Sequence, residues 1–284
     1  MPEPTTVAAL VALLERRFPP DWAENWDRVG LVLGEPSAPV TRVLCVVDCV
    51  PETVEQAVDV GAQLIVAHHP LLLRGVSTLA PTTYKGRIVH RLIRAGIALF
   101  AAHTNADVAN PGVSDALAGL LGLRDIRPLR PAPDDPSRGA GRVGRLAEPR
   151  SLPAFSALVA QALPATTWGV RIAGGTGAGA RRIETVAVCG GAGEAYLGDA
   201  LAAGVDAYLT SDLRHHPASE FACEDGPVLL DAAHWATERP WLDPLAAYLR
   251  SVAPVETMVS DIVTDPWTAH VPATGTDLPK EPRT

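Results

Sequence analysis

Short apolar runs that stop abruptly at polar, ligand-type residues recur along this 284-residue chain. LIVA at 64–67 stops at His68-His69-Pro70, IALFAA at 97–102 stops at His103, and VLLDAA at 228–233, apolar but for Asp231, stops at His234. Runs this short, lying between helical patterns, predict buried strands. Helical spacing appears in KGRIVHRLIRAG (85–96), HPASEFACEDG (216–226) and the opening segment, roughly 5–17, where Val7, Leu10, Val11 and Leu14 share one face. Gly61 and Gly204 stand where a helix closes in a left-handed turn.

The pattern repeats. TRVLCVVDCVPETVEQAVDVGAQLIVAHHP from Thr41 matches ETVAVCGGAGEAYLGDALAAGVDAYLTSDLRHHP from Glu184, pairing Val43 with Val186, Gly61 with Gly204 and His69 with Asp212, each 143 positions apart (186 − 43). The stretches 96–107 and 226–238 extend both copies by a further strand. Strand–helix–strand–helix–strand with short connections implies parallel strands joined by right-handed crossovers. The prediction is an α/β protein with two related α/β lobes from an internal repeat. Mostly parallel strands are flanked by helices, and the metal site lies in the cleft between the lobes. Residues 1–126 form the first lobe, 127–145 (RPLRPAPDDPSRGAGRVGR) a Pro/Gly-rich linker, and 146–268 the second lobe, whose C-terminal helix packs on the first. Within and after the linker, GRVGRLAE reads as a strand, SLPAFSALVAQAL as a capped helix and TTWGVRIAG as a strand ending in a Gly-rich turn near 174–179. The tail 269–284 reads as flexible.

Hydrophobic content of 47% with 20% charged residues excludes a disordered chain. No window reaches the roughly 18–20 apolar residues of a membrane span. Glu15, Arg16 and Arg17 stand where a signal-peptide cleavage site would lie, so a cytoplasmic protein with no membrane partner is expected. The net charge of −8 disfavours nucleic acid as a partner. Cys45, Cys49, Cys189 and Cys223 form no CxxC pair and read as buried, reduced thiols.

The candidate chemistry lies at the strand ends. Adjacent strand residues point to opposite faces, so His68 and His69 can share a site only where the chain turns, as Pro70 implies. His103 and Asp107, like His234 and Glu238, stand four apart; on a helix that spacing stacks two ligands, although a surface salt bridge has it too. Asp107 can equally reach the site from a turn. Asp212 is read as an outer partner of a ligand histidine, with metal binding and helix capping as alternatives. Of His215 and His216, the latter is the preferred cleft residue. Cys189-Gly190-Gly191-Ala192-Gly193 reads as a tight strand-to-helix turn, with a phosphate cradle as the lesser alternative. Mixed imidazole and carboxylate ligands leave zinc, iron(II) and manganese open. A pair of such ions roughly 3.5–4 Å apart makes metal-assisted hydrolysis the natural reaction class.

Taken in order, WDRVGLVLG (26–34), IVAHHPLLLRG (65–75), HTNADVANPGVSDALA (103–118), GRVGRL (141–146), VAVCGGAG (186–193), LTSDLRHHPASEFA (209–222), LLDAAHWATE (229–238) and SDIVTDPW (260–267) resemble the Nif-three-like dinuclear metal centre family. Its members are often labelled type 2 GTP cyclohydrolase I homologues. The resemblance implies His68, His69, Asp107, His234 and Glu238 as ligands of two divalent metal ions per chain. It implies a ring-shaped homohexamer and a small-molecule, nucleotide-type substrate, with His216 or His103 moving protons. Arg28 stands where the family usually has asparagine, Ser211 where glycine is common, and Pro111-Gly112 replaces a double glycine. Two other readings share the metals: a non-catalytic regulatory metal protein, and a phosphoesterase or nuclease, for which Arg74, Arg87 and Arg214 are the available cations.

Overall fold

The computed structural model describes residues 5–174, 178–222 and 226–271, and these fall into two compact units. One comprises the described residues of Met1–Gly112 and Trp241–Thr264, the other those of Val113–Pro240 and Asp265–Thr284.

The first unit opens with α1 (Val7–Arg17), whose first turn is capped by Thr6 Oγ1 accepting from Ala9 N–H at 3.2 Å. It continues through β1 (Gly30–Leu33), β2 (Arg42–Val46), α2 (Pro51–Asp59), β3 (Leu64–Ala67), α3 (Tyr84–Ala95), β4 (Ala98–Ala101) and the single-turn α4 (Thr104–Asp107). β2, β3 and β4 run parallel, and β1 closes the β4 edge antiparallel, giving the order β1-β4-β3-β2. Every residue of β3 and β4 is buried, which is why both read as unbroken apolar runs. Val54 of α2 and Ile88 and Leu92 of α3 pack with Leu44, Ile65 and Leu99 of the sheet.

The second unit contains α5 (Val113–Leu120), β5 (Arg124–Pro131), β6 (Gly139–Ser151), α6 (Leu152–Ala162), β7 (Val170–Ala173), β8 (Arg182–Ala192), α7 (Leu197–Ala202), β9 (Ala207–Ser211), α8 (His215–Ala222), β10 (Val228–Ala232) and the short α9 (His234–Glu238). β8, β9 and β10 run parallel, with β7 antiparallel on the β10 edge. The order β7-β10-β9-β8 therefore repeats β1-β4-β3-β2, as the duplicated sequence requires.

Beyond that frame the units diverge. In the first, the chain returns as α10 (Leu242–Val252) and β11 (Glu256–Val259), and β11 adds to β2 in parallel. In the second, β6 and β5 extend the sheet from β8 by two antiparallel pairings, so this sheet is mixed where the first is mostly parallel. Residues 127–145 are thus not a linker: Arg127 pairs with Val143, Arg130 with Ala140 and Pro131 with Gly139. Proline is admitted because β5 is an edge strand. Gly139 is required because a Cβ there would stand 2.2 Å from the Arg130 carbonyl. The unit boundary falls at Gly112 and not at 126. The expected helix 216–226 starts at His215 and is followed to Ala222; its end, part of the turn near 174–179, and the tail from 272 lie outside the described residues. No helix among the described residues is long and apolar enough to cross a membrane.

Candidate metal centre

In the first unit, the two parallel strands β3 and β4 deliver three histidines. His68 and His69 follow β3 where the chain turns at Pro70, and His103 follows β4 as the residue that opens α4. One ring nitrogen from each lies within 4.8 Å of the others. Their ring centroids stand 5.0, 5.2 and 5.4 Å apart. Each Nδ1 meets an oxygen acceptor: His68 the Ala102 carbonyl at 2.9 Å, His69 the Asp48 carboxylate at 2.7 Å, and His103 the Asp27 carboxylate at 2.8 Å. A neutral imidazole donating from Nδ1 keeps its lone pair on Nε2, the tautomer a metal ligand needs. Asp107, in the turn of α4, brings Oδ1 to 3.6 Å from His68 Nε2.

Asp27 is itself buried and accepts from Arg28 N–H at 2.7 Å, Thr104 N–H at 3.0 Å and the Thr104 hydroxyl at 2.5 Å. Burial opposes its ionisation, but the hydrogen bonds from His103 and Thr104 hold its carboxyl well below the ordinary carboxylate range. It is a permanent acceptor for His103. Asp48 plays the same part for His69 while its other oxygen accepts from the Thr264 hydroxyl.

The second unit uses one histidine and two carboxylates. His234 opens α9, and Glu238 one turn later places Oε1 at 3.0 Å from His234 Nε2. Asp212 Oδ2 takes the other ring nitrogen at 2.7 Å. Its backbone turns off the end of β9 at φ 57°, a left-handed conformation that aspartate tolerates better than most residues. Burial works against charge on His234, yet the Glu238 carboxylate, followed by the hydrogen bond to Asp212, raises its pKa to about 11. The pair thus carries surplus negative charge around an imidazole, an electrostatic setting that favours a cation in place of the proton. Gly191, at φ 68°, reserves the space: a Cβ there would fall 2.3 Å from Glu238 Oε1 and 2.9 Å from His234 Nε2. Its N–H donates to Thr237 Oγ1 at 2.9 Å, tying the glycine turn to α9. Imidazole and carboxylate donors, pre-oriented by oxygen acceptors and without thiolate, fit the binding of a divalent metal.

His103, expected to move protons, stands within the ligand-type group of the first unit. His216 is exposed, with its ring 5.1 Å from that of His215, and belongs to no metal-type group among the described residues. It is His215 that lines a groove of about 460 Å³ with Arg171, Ile172 and Asp231. Arg214 is engaged by Glu194, and Arg87 lines a separate groove with Arg91 and Arg94. Ser211 is buried, its hydroxyl 3.1 Å from that of Thr237. Asp27 and Asp48 are not singled out by the sequence, and Gly191 appears there only as part of a strand-to-helix turn. The available signals were an acid at the end of the apolar run VLCVVD and the acid of WDRVG.

Fold and site together define an α/β protein of duplicated frame, with histidines and carboxylates of metal-ligand type at the strand ends. Residues 5–266 match the profile of Duf34/NIF3 (NGG1p interacting factor 3), and the chain belongs to that family. A Streptomyces coelicolor relative named GTP cyclohydrolase 1 type 2 homolog is 51% identical over 272 residues, covering 93% of this chain and 94% of that protein. A Mycobacterium tuberculosis relative of the same name is 35% identical over an alignment of 369 residues, covering 92% of this chain and 96% of that one. That alignment is longer than the 284 residues here, so the mycobacterial chain carries inserted sequence. Among solved structures, a Staphylococcus aureus hypothetical protein superposes with a TM-score of 0.85 at 28% identity, over 94% of this chain and 100% of that one. A Bacillus cereus protein related to NIF3 gives a TM-score of 0.85 at 23% identity over 93% and 99%, a likeness of fold.

Proposed function

We propose that this protein is a metal-dependent hydrolase acting on a nucleotide or related heterocycle. His68, His69 and Asp107 of the first unit and His234 and Glu238 of the second serve as ligands for two divalent ions per chain. The observation that carries the reading is the state of the imidazoles: His68, His69, His103 and His234 each have Nδ1 against an oxygen acceptor at 2.7–2.9 Å. Four histidines prepared alike at strand ends are what metal ligation asks for and what packing alone does not.

A divalent ion, when bound, supplies Lewis acidity toward a substrate oxygen and lowers the proton affinity of water. The chain's own residues do the rest. Asp27, Asp48 and Asp212 fix ring orientation and tautomer. His103, outside the ligand set that the resemblance implies, holds a proton-accepting Nε2 backed by the ionised Asp27, the arrangement of an oriented general base. The relatives' printed name favours GTP as substrate; one water adding at the purine C8 would open the imidazole ring to a formamide, and a second would hydrolyse that formamide to the free amine and formate. We further propose a homohexamer, which light scattering would register as six times the 29.8 kDa of one chain.

The test is elemental analysis of protein purified without added metal, followed by incubation of native and Glu238→Ala protein with GTP. Bound divalent metal and formate release by the native chain, both reduced in the variant, are expected. Metal without any opened product removes the GTP reading. Absence of retained or acquired metal removes the hydrolase.

A further inference from the structure

We propose that Trp26 and Arg28 form a recognition arm beside His103 that reads a planar, anionic heterocycle of the purine nucleotide class. The inference rests on the hydrolase reading and names the class of its substrate. The segment carrying both residues is pinned at the candidate centre: Glu24 N–H donates to Thr104 Oγ1 at 3.0 Å, and the Asp27 carboxylate takes His103 Nδ1, Thr104 N–H and the Thr104 hydroxyl. Asp27 is turned inward and buried, while its two neighbours, Trp26 and Arg28, are exposed.

Trp26 leaves 52% of its surface in water. Its ring meets that of His103 in a T-shaped contact, with centroids 5.9 Å apart and planes at 78°. An indole held open next to a prepared histidine, instead of folded into the core, offers a face on which any flat heterocycle can stack. Arg28 donates from Nη1 to the Asp27 carbonyl at 2.5 Å, and among the described residues it forms no ion pair. That bond holds the guanidinium in place and leaves its other N–H donors for a phosphate, which arginine engages in a two-pronged fashion. Ring and charge are thus read from positions two residues apart, on either side of the aspartate that orients His103.

The experiment measures equilibrium binding of GMP, guanosine and inorganic phosphate by calorimetry to native, Trp26→Ala, Trp26→Phe and Arg28→Asn proteins, with thermal melting to confirm folding. Trp26→Ala is expected to weaken both GMP and guanosine about tenfold. Trp26→Phe should restore most of that affinity. Arg28→Asn is expected to weaken GMP roughly fivefold and leave guanosine unchanged. The proposal is overturned if native protein shows no saturable GMP binding, if Trp26→Ala matches native, or if Arg28→Asn weakens guanosine as much as GMP. These readouts are independent of turnover. Trp26-dependent GMP binding with no hydrolysis would defeat the enzymatic reading and leave this one standing. Turnover of another heterocycle with a KM unchanged in Trp26→Ala would defeat this one alone.

Discussion

His103 and His234 each follow the last of three parallel strands, and each precedes a carboxylate by four residues, Asp107 in one unit and Glu238 in the other. What orients them differs. His103 is held by Asp27, a buried residue that comes from before β1, in ordinary backbone conformation and with three further donors on its carboxylate. His234 is held by Asp212, whose side chain is 58% exposed and whose φ of 57° lies in the left-handed region. Duplication therefore preserved the frame and the spacing of the donors, while each copy found its own acceptor for the imidazole. The second strand of the set shows the same freedom, with His68-His69 after β3 and Ser211-Asp212 at the end of β9.

The sharpest way to break the comparison is Gly191→Ala. The added methyl meets both Glu238 Oε1 and His234 Nε2 at a positive φ, so metal affinity of the second unit should fall by at least about a hundredfold, with about 2–3 kcal/mol lost from stability. Competitive chelator titration and urea unfolding report both, and native behaviour would show that this turn reserves no space for a ligand. Next in size is removal of metal. With free ion at about a hundred times its Kd, chelation should cost about 2.7 kcal/mol of stability, read as a lowered melting temperature. An unchanged melting curve would mean that no ion binds the folded chain.

Asp27→Asn against Asp212→Asn tests the asymmetry directly. Losing the buried acceptor should cost about 2 kcal/mol and roughly tenfold to a hundredfold in metal affinity. The exposed one should cost under about 1 kcal/mol and nearer tenfold. Equal penalties would show that burial of Asp27 adds nothing. The smallest effect is chemical. Burial pushes the thiols of Cys45 and Cys49 up to about 12, so they remain protonated across the physiological range. Iodoacetamide labelling followed by peptide mapping should leave both unmodified until the protein is unfolded.

The frame was readable because buried parallel strands are unbroken apolar runs and because helices end visibly, α3 at Gly96 with φ 68°. The ligand histidines were readable for a related reason: polar residues that interrupt such a run at its end stand out. β5 and β6 were not. Their Pro and Gly content mimics a linker, and four of the eight residues of β5 from Arg124 onward are exposed before its first buried position, so no alternation announces a strand. Asp27 and Asp48 were hidden for a different reason. A carboxylate that orients a ring across 76 or 21 residues of sequence leaves no local spacing to detect.

The place of β11 has a consequence for biosynthesis. Glu256–Val259 supply the outermost strand beside Arg42–Val46, whereas the six-stranded sheet needs nothing later than Ala232. During translation the half that leaves the ribosome first is the half that is finished last, and β2 travels with one bare hydrogen-bonding edge until the closing segment emerges. A nonsense codon after Pro240 would spare every strand of the later sheet yet leave that edge permanently open, the template on which chains aggregate.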